Sequence, residues 1–184
     1  MKFQFYLEKL EDLDAFKEYK KENSDAFLCS GFFAIDEQGD DNQQHLDFYS
    51  PSTGKAFSFQ LEKDNPKVPL DDFGDNVPEE LSEEIDFDFE EVKQLIKDEM
   101  DKNEVKNNVT KYLFSLQKQG GKNYIIGTVF LSKMGLLKAI ADLDEKKVTE
   151  FEKKSLFDML SFREGKKNKG SSESGSEESF ENKE

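Results

Sequence analysis

Hydrophobic and polar residues change rhythm several times along the chain. In LEKLEDLDAFKEYKKEN (residues 7–23), Leu10, Leu13 and Phe16 fall at helical spacing and Asn23 offers a stop, so one helix is expected. AFLCSGFFAID (26–36) is apolar at successive positions, as in a central strand. After the polar turn EQGDDNQQ, the segment HLDFY, SPSTGK, AFSFQLE reads as a hairpin in which Phe57, Phe59 and Leu61 alternate with polar residues. Pro51 and Gly54 supply its turn chemistry, proline by fixing φ and glycine by accepting φ > 0.

From Lys63 to Phe87 the pattern lapses into an acidic stretch broken by Pro66, Pro69 and Pro78, which reads as a linker. A second helix is expected over 88–103. Asp88 is its cap, Glu91 completes a capping box, and Phe89, Val92, Leu95 and Ile96 form an inward stripe continued by Glu99 or Met100. Four strands should follow. VTKYLFSLQKQ alternates, Gly120 and Gly121 turn into the doubly apolar KNYIIGTVFLS, and LLKAIADL turns through DEKK into VTEFEKKSLFDML, which ends as a strand or a short helical turn.

A faint repeat runs through this order. Residues 47–62 and 139–154 both read as strand, polar turn and strand, with Phe59 and Phe151 matched. The chain is therefore divided into a first helix-plus-sheet unit (1–62), a linker (63–87), a second unit (88–162) and a tail (163–184). The first unit lacks one strand of the second, unless MKFQFYL supplies it. The tail is rich in Ser, Gly, Glu and Lys, has no apolar periodicity, and is expected to be disordered; its serines serve more simply in a solubilising tail than as kinase sites.

Composition adds size and compartment. The 184 residues suit one domain or two small ones, and 18 phenylalanines offset a hydrophobic fraction of 35%. The single Cys29 precludes an internal disulfide and, amid apolar neighbours, reads as a small buried hydrophobe. Glu8 and Lys9 interrupt the place where a signal peptide needs its apolar core, and no run approaches a membrane span. A cytoplasmic protein is expected, in which the sequon at Asn108 is incidental.

Charge is unevenly distributed. The net of −15 divides into −6 over residues 1–61, −12 over 62–104, +4 over 105–162 and −1 in the tail. Nucleic acid and anionic membrane are disfavoured as partners, because contacts to phosphate need clustered Lys and Arg. Asp71, Asp72, Asp75, Glu79, Glu80, Glu83 and Glu84 form a candidate acidic interaction surface that would steer a basic protein or peptide. The simpler reading lays these acids over the chain's own lysines.

Reaction chemistry finds little support. His45 has no second histidine or nearby cysteine for a metal site or a nucleophile relay. The acidic loops at 36–43 and 71–76 lack the ligand spacing of a calcium-binding loop. The acids of IDFDFEE read as an extended entry into a helix, and Gly120–Gly121 lack the strand–loop–helix setting of a phosphate loop. No catalytic, metal or cofactor residues are assigned, and no cofactor is expected.

The segments DFEEVKQLIKDEM, KYLFSLQKQGGKNYIIGTVFL and LLKAIADLDEKKVTEFEKKSLFD resemble the PepSY-like domain, a helix followed by an antiparallel sheet. Ile140, Ala141 and Asp142 stand in altered order where that family has Ile-Asp-Ala, and Lys146–Lys147 replace its Thr-Gly turn. Thr53 and Gly54 keep that turn in the first unit. The whole is similar to tandem PepSY-like proteins of the archaeal type, over roughly residues 9–160. The resemblance implies an α+β fold of two helix-plus-antiparallel-sheet units, PepSY-like or cystatin-like, with sheets packed together or joined edge to edge. It implies a non-enzymatic role in binding or restraining a protein or peptide, as metallopeptidase propeptides do. The alternative is a small-molecule binding protein or enzyme with a pocket on the concave face of a sheet. A third reading, a scaffold that serves only as an oligomer subunit, is left to a measurement of solution mass.

Overall fold

The computed structural model describes residues 1–71, 77–82 and 85–155. Its elements are α1 (Gln4–Glu11), α2 (Asp14–Glu22), β1 (Phe27–Asp36), β2 (Gln43–Ser50), β3 (Lys55–Gln60), β4 (Lys67–Pro69), α3 (Phe89–Lys102), β5 (Val109–Gln119), β6 (Lys122–Leu131), β7 (Gly135–Asp142) and β8 (Lys147–Ser155). The protein is α+β. All eight strands join one antiparallel sheet in the order β4-β3-β2-β1-β5-β6-β7-β8.

The order is two four-stranded meanders joined at their first strands. β1 and β5 pair antiparallel from Ser30↔Gln117 to Asp36↔Lys111, so the halves continue edge to edge. The doubly apolar segments predicted to be central, β1 and β6, both lie inside the sheet.

Alternation fixes which side chains meet the helices. Phe33, Leu46, Phe48, Phe59, Tyr112, Phe114, Ile125 and Val129 project to one face, and the apolar residues of all three helices pack there in a single core. The core is aromatic. Phe33 meets Phe89 at 4.6 Å between ring centroids, Phe16 meets Phe48 at 4.9 Å, and Tyr19 meets Phe59 at 5.3 Å. Glycine leaves room at two close approaches. A Cβ on Gly31 would come within 2.9 Å of Phe33, and one on Gly127 within 3.2 Å of Phe114.

Several expectations need correction. The amino-terminal helix is two helices, because Leu13 is extended (φ −70°, ψ 123°) and breaks the ladder. The break lets α1 lay Tyr6 against Phe33 and Phe89 while α2 lays Phe16 and Tyr19 against Phe48 and Phe59. A straight helix presents a single stripe and could not follow both parts of a twisted sheet. Asn23 ends α2 as expected, its backbone and side-chain amides both donating to the Tyr19 carbonyl.

MKFQFYL does not supply the missing strand. It enters α1 at Gln4, with only Lys2 bridging to Asp88. The fourth strand of the first half is β4, inside the supposed linker, where Pro69 is tolerated because β4 is an edge. Two further described residues of that segment are anchored as well: Leu81 and Phe87 are buried, and the Leu81 amide donates to the Leu28 carbonyl at 2.8 Å.

The echo of residues 47–62 in 139–154 joins unlike positions. Counted outward from the β1–β5 seam, β2–β3 corresponds to β6–β7, whereas 139–154 spans β7–β8. Cross-strand alternation repeats in any hairpin, so the likeness marks hairpins and not equivalent ones. The expected tail (163–184) and the ending over 156–162 lie outside the described residues.

Candidate functional site

Of the seven acids in the candidate interaction surface, Asp71, Glu79 and Glu80 are described. Asp72, Asp75, Glu83 and Glu84 lie outside the described residues. Glu79 turns inward on the chain. Its carboxylate accepts from the Gly120 amide at 2.7 Å and the Gly121 amide at 2.9 Å. Both glycines have positive φ (59° and 80°), which makes the expected hairpin turn and aims two successive N–H groups at one anion. Neighbouring acids also find partners within the chain: Glu91 pairs with Lys146 and Asp86 with Lys2. Asp71 and Glu80 remain exposed.

The helix α3 carries the more definite site. Asp88 caps it, accepting from the Glu90 amide at 2.8 Å and from the chain's amino group at 2.7 Å. The amino group, foremost, and the Glu90 amide hold the Asp88 carboxyl below the usual range. The expected capping box does not form, because Glu91 reaches across to Lys146 (3.3 Å) instead of back to Asp88. Phe89, Val92, Ile96 and Met100 are buried as the inward stripe. Glu99 instead pairs with Lys102, and Leu95 is only half-buried.

Leu95 stands at a cleft between α3 and the β7–β8 turn. Phe87, Val92, Leu95 and Leu143 line it, and Asp88, Glu91, Gln94 and Lys146 complete its wall, around a volume of about 200 Å³. Its interior is almost wholly apolar. The β7–β8 turn is held rigid at one side. The buried Asp142 carboxylate accepts from the amides of Asp144 (3.0 Å) and Glu145 (2.9 Å), and Lys122 bridges Asp142 and Glu145. These contacts depress both carboxyls: Asp142 chiefly through the Glu145 amide, and Glu145 to about 2 through Lys122 and then Lys147. Beside the turn runs β8, nine residues long, at the edge of the sheet with one row of backbone groups unpaired among the described strands.

Two of the further hollows among the described residues differ from the cleft in chemistry. One, of about 480 Å³, opens at the carboxyl end of α3, with Glu37, Lys97, Asp101, Lys106, Asn108 and Tyr112 in its wall. The other, of about 290 Å³, lies on the helix-free face around Tyr124, Ile126 and Ile140.

Residues considered for reaction chemistry are held in structural roles. His45 meets Glu62 at 3.0 Å and lies against the Phe32 ring. Asp36 accepts from the Gln38 and Gly39 amides, which closes its own turn. Cys29 is buried and donates its thiol to the Asp47 carbonyl at 3.3 Å; burial pushes that thiol up to about 12, which keeps it protonated and unreactive. Sequence reasoning missed Lys93. It is buried on the inward side of α3, pairs with Glu37 and Glu90 at 2.8 Å each, and lies 5.7 Å from the centre of the Tyr112 ring. A lysine between apolar positions gave no local sign that two carboxylates would meet it.

No family profile matches the chain, and no curated protein matches it. Among solved structures the chain is similar to a "putative lipoprotein" from Clostridium difficile 630, at 17% identity and a TM-score of 0.42, over 77% of this chain and 91% of that one.

Proposed function

We propose that the protein is a non-enzymatic binding or regulatory module that recognises a protein or peptide. The observation that carries this reading is the apolar cleft of about 200 Å³ beside β8, an edge strand among the described residues. That volume falls below the roughly 300–1,000 Å³ of sites that enclose a small molecule, and suits one large apolar side chain. An extended peptide on a sheet edge takes affinity from backbone pairing and selectivity from side-chain pockets, which is the combination offered here. Charges of both signs at the rim, Glu91 and Lys146, would orient it.

The PepSY-like reading of the two halves belongs to the same proposal. A helix followed by a four-stranded antiparallel meander, α3 with β5–β8, is the arrangement the resemblance implies, and α1–α2 with β1–β4 follows the same order. Duplication of one cystatin-like unit is part of this reading. A basic partner remains part of it through Asp71 and Glu80, whereas Glu79 is engaged by its own chain. Nucleic acid and membrane are set aside on charge. Among the described residues no helix is long and apolar enough to cross a membrane, and we place the protein in the cytoplasm, where its buried free thiol is stable.

Selection of displayed random peptides on the full chain tests this proposal, with Leu95→Lys as counter-target. Lysine at the mouth of the cleft closes it from an exposed-side position. Enriched peptides should share one large apolar residue and lose at least about tenfold in affinity on the variant, the worth of one buried side chain. Failure to enrich any peptide, or equal binding to both proteins, would overturn the proposal.

A further inference from the structure

The cavity at the carboxyl end of α3 shares only Gln94 with the cleft, and its chemistry is different. Tyr112, fully buried on β5, lines it, and the Tyr112 hydroxyl has no hydrogen-bond partner among the described residues. Buried hydroxyls are nearly always partnered, because water has been given up for nothing otherwise. Burial, with the Glu37 and Glu90 carboxylates nearby, holds this phenol well above its ordinary range, so it keeps its proton and can donate it to an acceptor.

Two lysines at the cavity wall are placed to take an anion. Glu37 shares Lys93 with Glu90, at 2.8 Å each, whereas Lys97 and Lys106 have no carboxylate partner among the described residues. The last carbonyls of α3 would repel an anion, but three of the last four are already accepting, that of Glu99 from Asn103, that of Met100 from Val105 and that of Asp101 from Glu104, which lessens the repulsion. The Asp101 and Glu37 carboxylates at the same wall penalise a doubly charged head more than a singly charged one. At about 480 Å³ the cavity lies within the range of small-molecule sites.

We infer that this cavity binds a small organic carboxylate, its charge between Lys97 and Lys106 and one oxygen accepting from the Tyr112 hydroxyl. Tyr112 lines the cavity while its hydroxyl is buried, so contact with that hydroxyl requires neighbouring side chains to shift on binding. The site is independent of peptide recognition at the cleft.

Titration of the ¹⁵N-labelled full chain with acetate and succinate tests the inference, against acetamide and inorganic phosphate at constant ionic strength. Saturable shifts should appear at the end of α3 and the start of β5, with a Kd at or below about 1 mM for one carboxylate. Tyr112→Phe preserves the ring and removes only the hydroxyl; it should weaken binding about tenfold, the worth of one hydrogen bond to a charged group. The exposed substitution Lys97→Gln should weaken it similarly. Absence of saturation, equal response to acetamide, tighter binding of phosphate, or unchanged affinity in Tyr112→Phe would overturn the inference.

Discussion

Single residues show how the acidic segment is used. Glu79 is one of the seven acids of the candidate interaction surface, yet its two oxygens accept from the consecutive amides of Gly120 and Gly121. The segment 77–82 thereby ties the tip of the β5–β6 hairpin to the start of β1, where Leu81 enters the core. Glu79→Ala should lower stability by about 1 kcal/mol, the value of charge-assisted hydrogen bonds discounted for exposure. Amide exchange at Gly120 and Gly121 should speed up in parallel. Unaltered exchange at both glycines would show that the carboxylate does not hold the turn.

Among the elements, the β7–β8 hairpin is the one most dependent on charge. Asp142 and Glu145 both have carboxyls depressed by their folded surroundings, Glu145 to about 2 from an ordinary 4.5. A group whose folded pKa is lowered adds stability that is complete above its unfolded value and is lost as pH falls through the folded one. The turn should therefore remain intact at pH 5 and above, then loosen progressively as pH falls from about 4.5 toward 2. Amide exchange at residues 143–146, compared with β2–β3 at each pH, checks this. The same turn forms one wall of the apolar cleft, so peptide binding should weaken over the same interval. The start and inward face of α3 are legible in the sequence, through Asp88 and an apolar stripe. Its partners were not readable: Glu91 bonds to Lys146 and buried Lys93 to Glu37, residues 55 and 56 positions away.

For the whole molecule, the seam between β1 and β5 matters most. One aromatic core spans both halves, with Phe89 of α3 packed on Phe33 of β1 and against Phe114 of β5. Phe89→Ala should cost about 3–5 kcal/mol, the usual penalty for emptying a buried aromatic site. Resonances of β2–β3 and β6–β7 should then disappear at one common urea concentration, since both halves depend on the same contact. Separate transitions would mean that the halves are independent domains and that the seam contributes little.

The sequence by itself determined the local elements of this protein. Alternation marked the strands, Gly54 and Gly120–Gly121 marked turns through their positive φ, and 18 phenylalanines announced an aromatic core. These features depend on neighbours a few residues apart. Tertiary structure decided what local pattern could not encode: the break at Leu13, the recruitment of Lys67–Pro69 as an edge strand, and the joining of β1 to β5 across more than 70 residues. It also decided both candidate sites. The cleft and the cavity are made where α3 crosses chain segments remote in sequence, and their chemistry comes from Leu143 and Lys146 on one side and Glu37 and Tyr112 on the other. A polar or apolar residue shows in the sequence what it can do, but which residues face it is settled by how the helix lies on the sheet.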